Sequence, residues 1–165
     1  MRVGIYSGSF DPITNGHIDI IKRSLNMVDK LVIGVLHNKN KKALFDIEDR
    51  IYMIKESLIE SGVDNSRIAV EASDELLVDF VKKHDATINI RGVRTTTDYE
   101  YEMNMALINK ELNNDLETVL LIADSKKAII SSSMVKEIAS FRGDIDGFVP
   151  KCVSRELKEL IKDIK

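Results

Sequence analysis

The stretch VGIYSGSFDPITNGHIDII, residues 3–21, leaves a short apolar run, crosses a turn and enters a helical pattern. Gly8 is free to adopt backbone angles that other residues avoid, and it lets a ligand approach the main chain. Asp11-Pro12 is a strong turn signal. An ordinary connection from a strand to a helix needs fewer special residues, so this turn is predicted to bind a ligand.

The residues after this turn predict the beginning of a helix. Asn15 is expected to be the N-cap, which places Gly16 and His17 in the first helical turn. A helix N-terminus offers free N–H groups and positive dipole charge, which favour a triphosphate. His17 is therefore placed to donate a hydrogen bond to a phosphate oxygen, as a neutral imidazole. The alternative is a structural turn with an incidental histidine, because short motifs also match by chance.

Short apolar runs alternate with helical periods along the rest of the chain. The predicted strands are Val3–Tyr6, Leu31–Leu36, Ile68–Val70, Thr87–Ile90 and Val119–Ile122. Helical spacing follows each strand, so the pattern predicts a single domain, residues 1–165, of α/β class. We expect a Rossmann-like, doubly wound, five-stranded parallel sheet with helices on both faces. Ligands of such sheets bind beyond the carboxyl ends of the strands, where the strand order reverses.

Amino-acid composition argues against several classes of protein. The 165 residues carry a formal net charge of −3, which argues against a general nucleic-acid binder. The single cysteine, Cys152, forms no disulfide within the chain and is typical of a reducing cytosol. No apolar run is long enough for a signal peptide or a membrane span, so a cytoplasmic protein without membrane partners is expected. No cluster has the spacing of metal ligands, and no protein-held metal is predicted.

Three further loops carry candidate anion-binding residues. HNKNKKALF holds Lys39, Lys41 and Lys42, although a solvated charged loop explains them equally well. RGVRTTTDYEYE places Arg91 and Arg94 after a strand, and arginine pairs bidentately with phosphate. The alternative is that both arginines pair with the acids that follow, Asp98, Glu100 or Glu102.

The segment ADSKKAIISSSMVKEIA places a serine cluster before a helical period. A helix N-cap is the simpler explanation for Ser132 or Ser133. Hydroxyl groups and free N–H groups at a helix start also form a second anion site.

Three motifs taken together resemble a known family. Thr14-Asn15-Gly16-His17 resembles the T/H-x-G-H motif of the nucleotidylyltransferase superfamily. YSGSFDPITNGHIDII, RGVRTTTDYEYE and ISSSMVKEIA resemble, in the same order, motifs of bacterial phosphopantetheine adenylyltransferases. The resemblance spans nearly the whole chain.

The resemblance implies roles for individual residues. The implied catalytic residues are His17, Lys41 and Arg91. The implied contacts of the phosphorylated substrate are Ser9, Lys41, Leu77 and Arg91. The implied ATP contacts are Ser9, Phe10, His17, Gly92, Val93, Arg94, Glu102, Lys127, Ala128, Ile129, Ile130, Ser131, Ser132 and Ser133. Many relatives have an aromatic residue at the position of Lys127, so this chain departs from the pattern there.

The implied reaction is adenylyl transfer from ATP to 4'-phosphopantetheine, which gives dephospho-coenzyme A and pyrophosphate. Mg²⁺ is expected to accompany ATP, and a homohexamer is expected from the family. One alternative is a related nucleotidylyltransferase with another acceptor, such as a cytidylyl or nicotinamide-mononucleotide transferase. Another is a non-catalytic sensor of ATP or coenzyme A, since fold alone does not define function. A nucleic-acid-binding protein is the least favoured.

Overall fold

A computed structural model describes residues 1–36, 42–124 and 131–163 of the chain. Within these residues, five strands form one parallel sheet. The strands are β1 (Val3–Gly8), β2 (Lys30–Leu36), β3 (Ile68–Ser73), β4 (Ile88–Val93) and β5 (Glu117–Ile122). The predicted alternation is confirmed, and all five strands extend beyond one end of the predicted ranges because backbone pairing continues past the apolar residues.

Helices connect and follow these strands. They are α1 (Asn15–Ser24), α2 (Ile47–Glu60), α3 (Leu77–Lys83), α4 (Thr96–Leu112), α5 (Ser132–Ser140) and α6 (Lys151–Asp163). A short 3₁₀ turn, Asn65–Arg67, precedes β3.

The strand order is β3-β2-β1-β4-β5. The chain first builds outward from β1 through β2 to β3 and then crosses to the other side of β1 to form β4. The order therefore reverses between β1 and β4, which pair from Gly4–Ile88 to Tyr6–Ile90. The doubly wound arrangement is confirmed, and its switch point lies where the first loop leaves β1.

Two apolar clusters cover the two faces of the sheet. The larger cluster includes fully buried Ile21, Ile54 and Val153 from α1, α2 and α6. The smaller cluster packs α3 against the opposite face through Phe80. A Cβ at Gly34 would lie 2.8 Å from the Phe80 ring, so glycine at this strand position permits the close approach of α3.

One side of the molecule departs from the predicted burial pattern. The apolar run of β5 predicts a strand buried on both faces, but β5 is an edge strand and its Ile122 is 74% exposed. The helical period at residues 99–107 forms α4 as expected, yet Leu107 is 61% exposed and Ile108 is 53% exposed. The side chains that α4 buries are instead polar, Glu102 and Asn109. Helical periodicity located this helix but did not determine which of its side chains are covered.

Candidate active site

A cavity of about 280 Å³ lies at the carboxyl ends of β1 and β4. Its lining comes from the end of β1, the first loop, α1, the end of β4, the start of α4, the residue after β5 and the start of α5. The lining residues are Tyr6, Ser7, Gly8, Ser9, Phe10, Thr14, Gly16, His17, Ile20, Arg91, Gly92, Arg94, Asp98, Glu102, Ala123, Ser131, Ser132 and Ser133. The location matches the predicted one at the reversal of strand order.

A reciprocal pair of hydrogen bonds between Thr14 and His17 caps the N-terminus of α1. Thr14 is the N-cap, and its Oγ1 accepts from the His17 backbone N–H at 3.4 Å. The Thr14 backbone N–H in turn donates to His17 Nδ1 at 3.0 Å. Asn15 is therefore not the cap, and that prediction was wrong. The spacing of Thr14 and His17 matches a capping box, in which residue N3 bonds back to the N-cap.

This capping box determines which nitrogen of His17 carries the proton. Because Nδ1 accepts from a backbone N–H, the neutral ring carries its hydrogen on Nε2. The neutral ring is therefore a hydrogen-bond donor through Nε2. Phe10 packs edge-on against the imidazole with ring centroids 5.1 Å apart, and this contact restrains the ring.

The environment of His17 keeps the imidazole neutral. Burial first, and then the positive charges of Arg94 and Arg91, lower the pKa of His17 from 6.5 to about 4. The predicted neutral state is thus supported, but by burial and two cations, whereas the expectation rested on the helix dipole. At neutral pH His17 donates a hydrogen bond without carrying a charge of its own.

Arg91 is held in the cavity by a bidentate ion pair. Its Nε donates to Glu102 Oε2 at 2.8 Å, and its Nη2 donates to Glu102 Oε1 at 2.6 Å. Its Nη1 donates to the Ser7 carbonyl oxygen and, at 3.2 Å, to Ser7 Oγ. Burial alone would lower the pKa of Arg91, but the hydrogen bond and charge of Glu102 raise it overall. The guanidinium is therefore a permanent, oriented positive charge in the wall of the cavity.

Arg94 forms a similar pair with Asp98, which lies one turn before Glu102 in α4. Its Nε donates to Asp98 Oδ2 at 2.9 Å, and its Nη2 donates to Asp98 Oδ1 at 3.2 Å. The Arg94 backbone N–H also donates to Asp98 Oδ2 at 3.2 Å. Both arginines thus pair with the acids that the sequence offered as the structural alternative, and both also line the cavity. The two explanations are compatible, because an ion pair orients a guanidinium toward a ligand.

The start of α5 supplies the opposite wall. Ser131 is the N-cap, and its Oγ accepts from the Met134 N–H at 3.0 Å. Ser132 Oγ donates to the Pro12 carbonyl oxygen at 2.7 Å, which links α5 to the first loop. The N-cap is therefore Ser131, whereas the sequence assigned capping to Ser132 or Ser133, and that prediction was wrong. All three serines of residues 131–133 also line the cavity.

Helix α2 supports the first loop through a hydrogen bond from Arg50. Arg50 is 3% exposed, and its Nη1 donates to the Ser9 carbonyl oxygen at 3.0 Å. Phe10 lies in the left-handed region with φ of 45°, a conformation that costs a bulky residue energy and is retained where the surroundings impose it. The 2%-exposed Phe10 side chain fills the space beneath the cavity. Packing and Arg50 therefore fix the shape of this loop.

The sequence is similar to those of named adenylyltransferases. Residues 5–138 match the family model described as cytidylyltransferase-like. A phosphopantetheine adenylyltransferase of Clostridium perfringens is 44% identical over 165 residues, which cover all of this chain and 98% of the relative. The same-named protein of Caldanaerobacter subterraneus subsp. tengcongensis is 48% identical over 162 residues, which cover 98% of this chain and 99% of the relative.

The chain belongs to the phosphopantetheine adenylyltransferase family. A solved structure, nicotinic acid mononucleotide adenylyltransferase of Plasmodium falciparum complexed with NaAD, superposes with a TM-score of 0.71. At 18% identity, with 99% of this chain and 95% of that chain covered, this likeness establishes the nucleotidyltransferase fold and nothing finer.

Most of the described residues that the phosphopantetheine adenylyltransferase resemblance singled out meet at this cavity. Those lining it are Ser9, Phe10, His17, Arg91, Gly92, Arg94, Glu102, Ser131, Ser132 and Ser133. The Val93 side chain is buried, and Leu77 packs against the smaller core cluster, so neither lines the cavity. Lys41, Lys127, Ala128, Ile129 and Ile130 lie outside the described residues.

Sequence reasoning missed several residues of the site. Thr14 was quoted within the family motif, but its capping role follows only from pairing residue 14 with residue 17. Tyr6 and Ser7 begin a quoted family motif but received no role, and Arg50 lies in a predicted helix without a motif of its own. Asp98 was considered only as a partner of the arginines, although it also lines the cavity.

The described residues contain no group of three or more His, Cys, Asp or Glu side chains placed to hold a metal ion. The two carboxylates of the cavity lining, Asp98 and Glu102, are both paired with arginines. Mg²⁺ favours oxygen ligands and is commonly bound through substrate phosphates together with one or two carboxylates. The donor set here fits an ion that arrives with a polyphosphate. None of the helices, over the described residues, is long and apolar enough to cross a membrane.

Proposed function

We propose that this chain transfers the adenylyl group of ATP to 4'-phosphopantetheine, giving dephospho-coenzyme A and pyrophosphate. The observation that carries the proposal is the geometry of His17, a neutral Nε2–H donor at a cavity that also contains two oriented arginines. The full-length relatives at 44% and 48% identity support the choice of acceptor.

The proposed chemistry needs no protein nucleophile. A phosphate oxygen of 4'-phosphopantetheine attacks the α-phosphorus of ATP, and the bond from that phosphorus to the β-bridging oxygen breaks. Pyrophosphate leaves with the bonding electrons. The substrate phosphate is already ionised at neutral pH, so catalysis rests on positioning and on stabilising charge in the transition state.

Each cavity residue then has a proposed task. His17 donates from Nε2 to an α-phosphate oxygen as negative charge builds there. Arg91 holds the attacking phosphate, with Glu102 keeping its guanidinium in orientation. Arg94 and the α5 N-terminus at Ser131–Ser133 hold the β- and γ-phosphates. Ser9 contacts both substrates, and Lys41 is proposed to follow the attacking phosphate through the reaction.

Mg²⁺ is proposed to bind through the triphosphate. Its positive charge would offset the negative charge of the phosphates in the transition state. Asp98 and Glu102 are the carboxylates that line the cavity, and their pairing with Arg94 and Arg91 leaves them little capacity as direct metal ligands.

We also propose that the protein acts as a homohexamer in the cytosol. The support for self-association is the number of large apolar side chains that α4 and β5 leave exposed, because exposed apolar surface marks an interaction surface. The members that are exposed are Tyr99, Tyr101, Met103, Leu107, Ile108, Leu112 and Ile122. The cytosolic location rests on the single cysteine, Cys152, which is buried and free.

The decisive experiment measures pyrophosphate release by the purified protein with ATP, Mg²⁺ and 4'-phosphopantetheine, and identifies the product by mass. Omitting the acceptor is the control for ATP hydrolysis. Acceptor-dependent release with dephospho-coenzyme A as product is expected. Turnover with nicotinamide mononucleotide and ATP, or with glycerol 3-phosphate and CTP, in place of the proposed substrates would identify another transferase. Tight ATP binding without any release would identify a sensor.

A further inference from the structure

Asp11, in the first loop, carries a buried carboxylate that does not line the cavity. The residue is 5% exposed. Its Oδ1 accepts from the backbone N–H groups of Leu44 at 3.1 Å and Phe45 at 3.0 Å, and its Oδ2 accepts from the Leu44 N–H at 3.0 Å. The same Oδ2 lies 2.7 Å from Lys136 Nζ. One carboxylate therefore binds groups from two other parts of the chain.

These partners come from two segments that border the site. Leu44 and Phe45 lead into α2, which holds the first loop through Arg50. Lys136 lies in α5, one turn beyond the serines that line the cavity. The hydrogen bond from Ser132 Oγ to the Pro12 carbonyl oxygen joins α5 to the first loop, as the ion pair between Lys136 and Asp11 does.

The energetic cost of burying the Asp11 carboxylate indicates that it orients its neighbours more than it stabilises the fold. Burial opposes ionisation, yet the hydrogen bond from Lys136 and those from Leu44 and Phe45 lower the pKa of Asp11 overall. A buried ion pair is a weak source of net stability, because desolvation offsets much of its attraction. Its best-attested benefit is to select one arrangement among several.

We propose that Asp11 is a positioning residue which, through Lys136, holds the N-terminus of α5 against the first loop and thereby sets the affinity for ATP. The inference rests on the proposed function, in which the α5 serines hold the β- and γ-phosphates. Asp11 does not contact the substrate in this scheme. It fixes the distance between two walls of the cavity, that of His17 and that of Ser131–Ser133.

Two substitutions separate this link from the rest of the loop. In Asp11→Asn, the amide oxygen keeps the place of Oδ1 and its bonds to Leu44 and Phe45, while the amide nitrogen ends the ion pair with Lys136 and also loses the second bond from Leu44. Lys136→Met removes the other partner, whose side chain is 29% exposed, so this variant is expected to fold. Lys136→Arg restores the charge and serves as the rescue.

Lys158→Met is the matched control. Lys158 Nζ lies 2.6 Å from Asp146 Oδ1, so the substitution removes an ion pair of similar length. This pair involves α6, and neither of its residues lines the cavity. This control is expected to leave the KM for both substrates within about twofold of the parent value.

The measured quantities are KM for each substrate, kcat, and the Kd for ATP by titration calorimetry. Each single variant is expected to raise both the ATP KM and the ATP Kd about tenfold, and the double variant no further, as coupled contacts behave. The 4'-phosphopantetheine KM is expected to stay within about twofold, and Lys136→Arg to recover most of the ATP affinity.

The proposal is overturned by variants that melt at a lower temperature while keeping the parent Kd for ATP. An equal rise in KM for both substrates, or additive effects in the double variant, also overturns it. Because calorimetry reads ATP affinity without turnover, the test holds even if the parent protein proves inactive toward 4'-phosphopantetheine. Inactivity of the parent would refute the proposed function alone.

Discussion

The clearest physical prediction concerns the protonation of His17. Its pKa is lowered from 6.5 to about 4, chiefly by burial and further by Arg94 and Arg91. The unfolded chain therefore binds one more proton than the folded chain between these pH values. Stability contributed by this group is complete above pH 6.5 and declines as the pH falls toward 4. The depression of the pKa corresponds to about 3 kcal/mol.

His17→Gln is the variant that isolates this effect. Glutamine at the same position of a capping box also accepts from the N-cap backbone N–H, so the contact with Thr14 is kept while the titrating group is removed. Other groups titrate in the same pH range, but they titrate equally in both proteins. The difference in unfolding free energy between parent and variant should thus change by about 3 kcal/mol between pH 7.5 and pH 4, to the disadvantage of the parent.

The assay is urea unfolding of both proteins at one protein concentration over a series of pH values. An NMR titration of the parent gives the pKa directly, with the His17→Gln spectrum assigning the resonance. A measured pKa near 6.5, or a difference in unfolding free energy that stays flat with pH, would refute the reasoning. Either result would mean that water reaches the imidazole and that a neutral donor is not enforced at low pH.

Four further outcomes are expected. His17→Ala should lower kcat by at least about 100-fold without loss of fold, checked by pyrophosphate release and circular dichroism, since one transition-state donor is lost; near-parental turnover would remove His17 from its role. Glu102→Gln should lower the unfolding free energy by about 2 kcal/mol in urea, because the bonds to Arg91 lose their charge; an unchanged midpoint would show that the pair adds no net stability. Ile108→Asp should reduce the molar mass measured by light scattering, whereas Ile59→Asp, at a similarly exposed position of α2, should leave it unchanged. An unchanged mass for Ile108→Asp would exclude α4 from the assembly interface. Chelation by EDTA should stop turnover and added Mg²⁺ should restore it, and undiminished turnover in EDTA would exclude a metal requirement.

Local pattern was sufficient for much of the fold. Runs such as residues 31–36 are apolar at nearly every position, which a strand covered on both faces requires, and β2 is such a strand. The same pattern predicted burial on both faces for residues 119–122, and this was wrong because β5 lies at the edge of the sheet. Position within a sheet depends on which strands pair, and periodicity along one strand carries no information about its neighbours.

At the candidate site as well, the sequence identified the chemically suited residues, and the structure decided how they pair. Motif residues such as His17, Arg91 and Arg94 were identified because their chemistry suits phosphate and their loops follow strands. Pairing was left open by the sequence, since Asp98, Glu100 and Glu102 all follow Arg91 closely. The structure selects Glu102 for Arg91 and Asp98 for Arg94, because α4 turns those two carboxylates toward the cavity.

By itself, the sequence determined the alternation of strands and helices, the family and the loops that carry the chemistry. These follow from local periodicity, turn residues and contiguous motifs. Only the tertiary structure decided the strand order, the exposure of α4, the proton position on His17 and the link from Asp11 to Lys136. Each of these depends on contacts between residues that are far apart in the chain, or on the orientation of one side chain within a packed environment, and neither is encoded in spacing along the sequence.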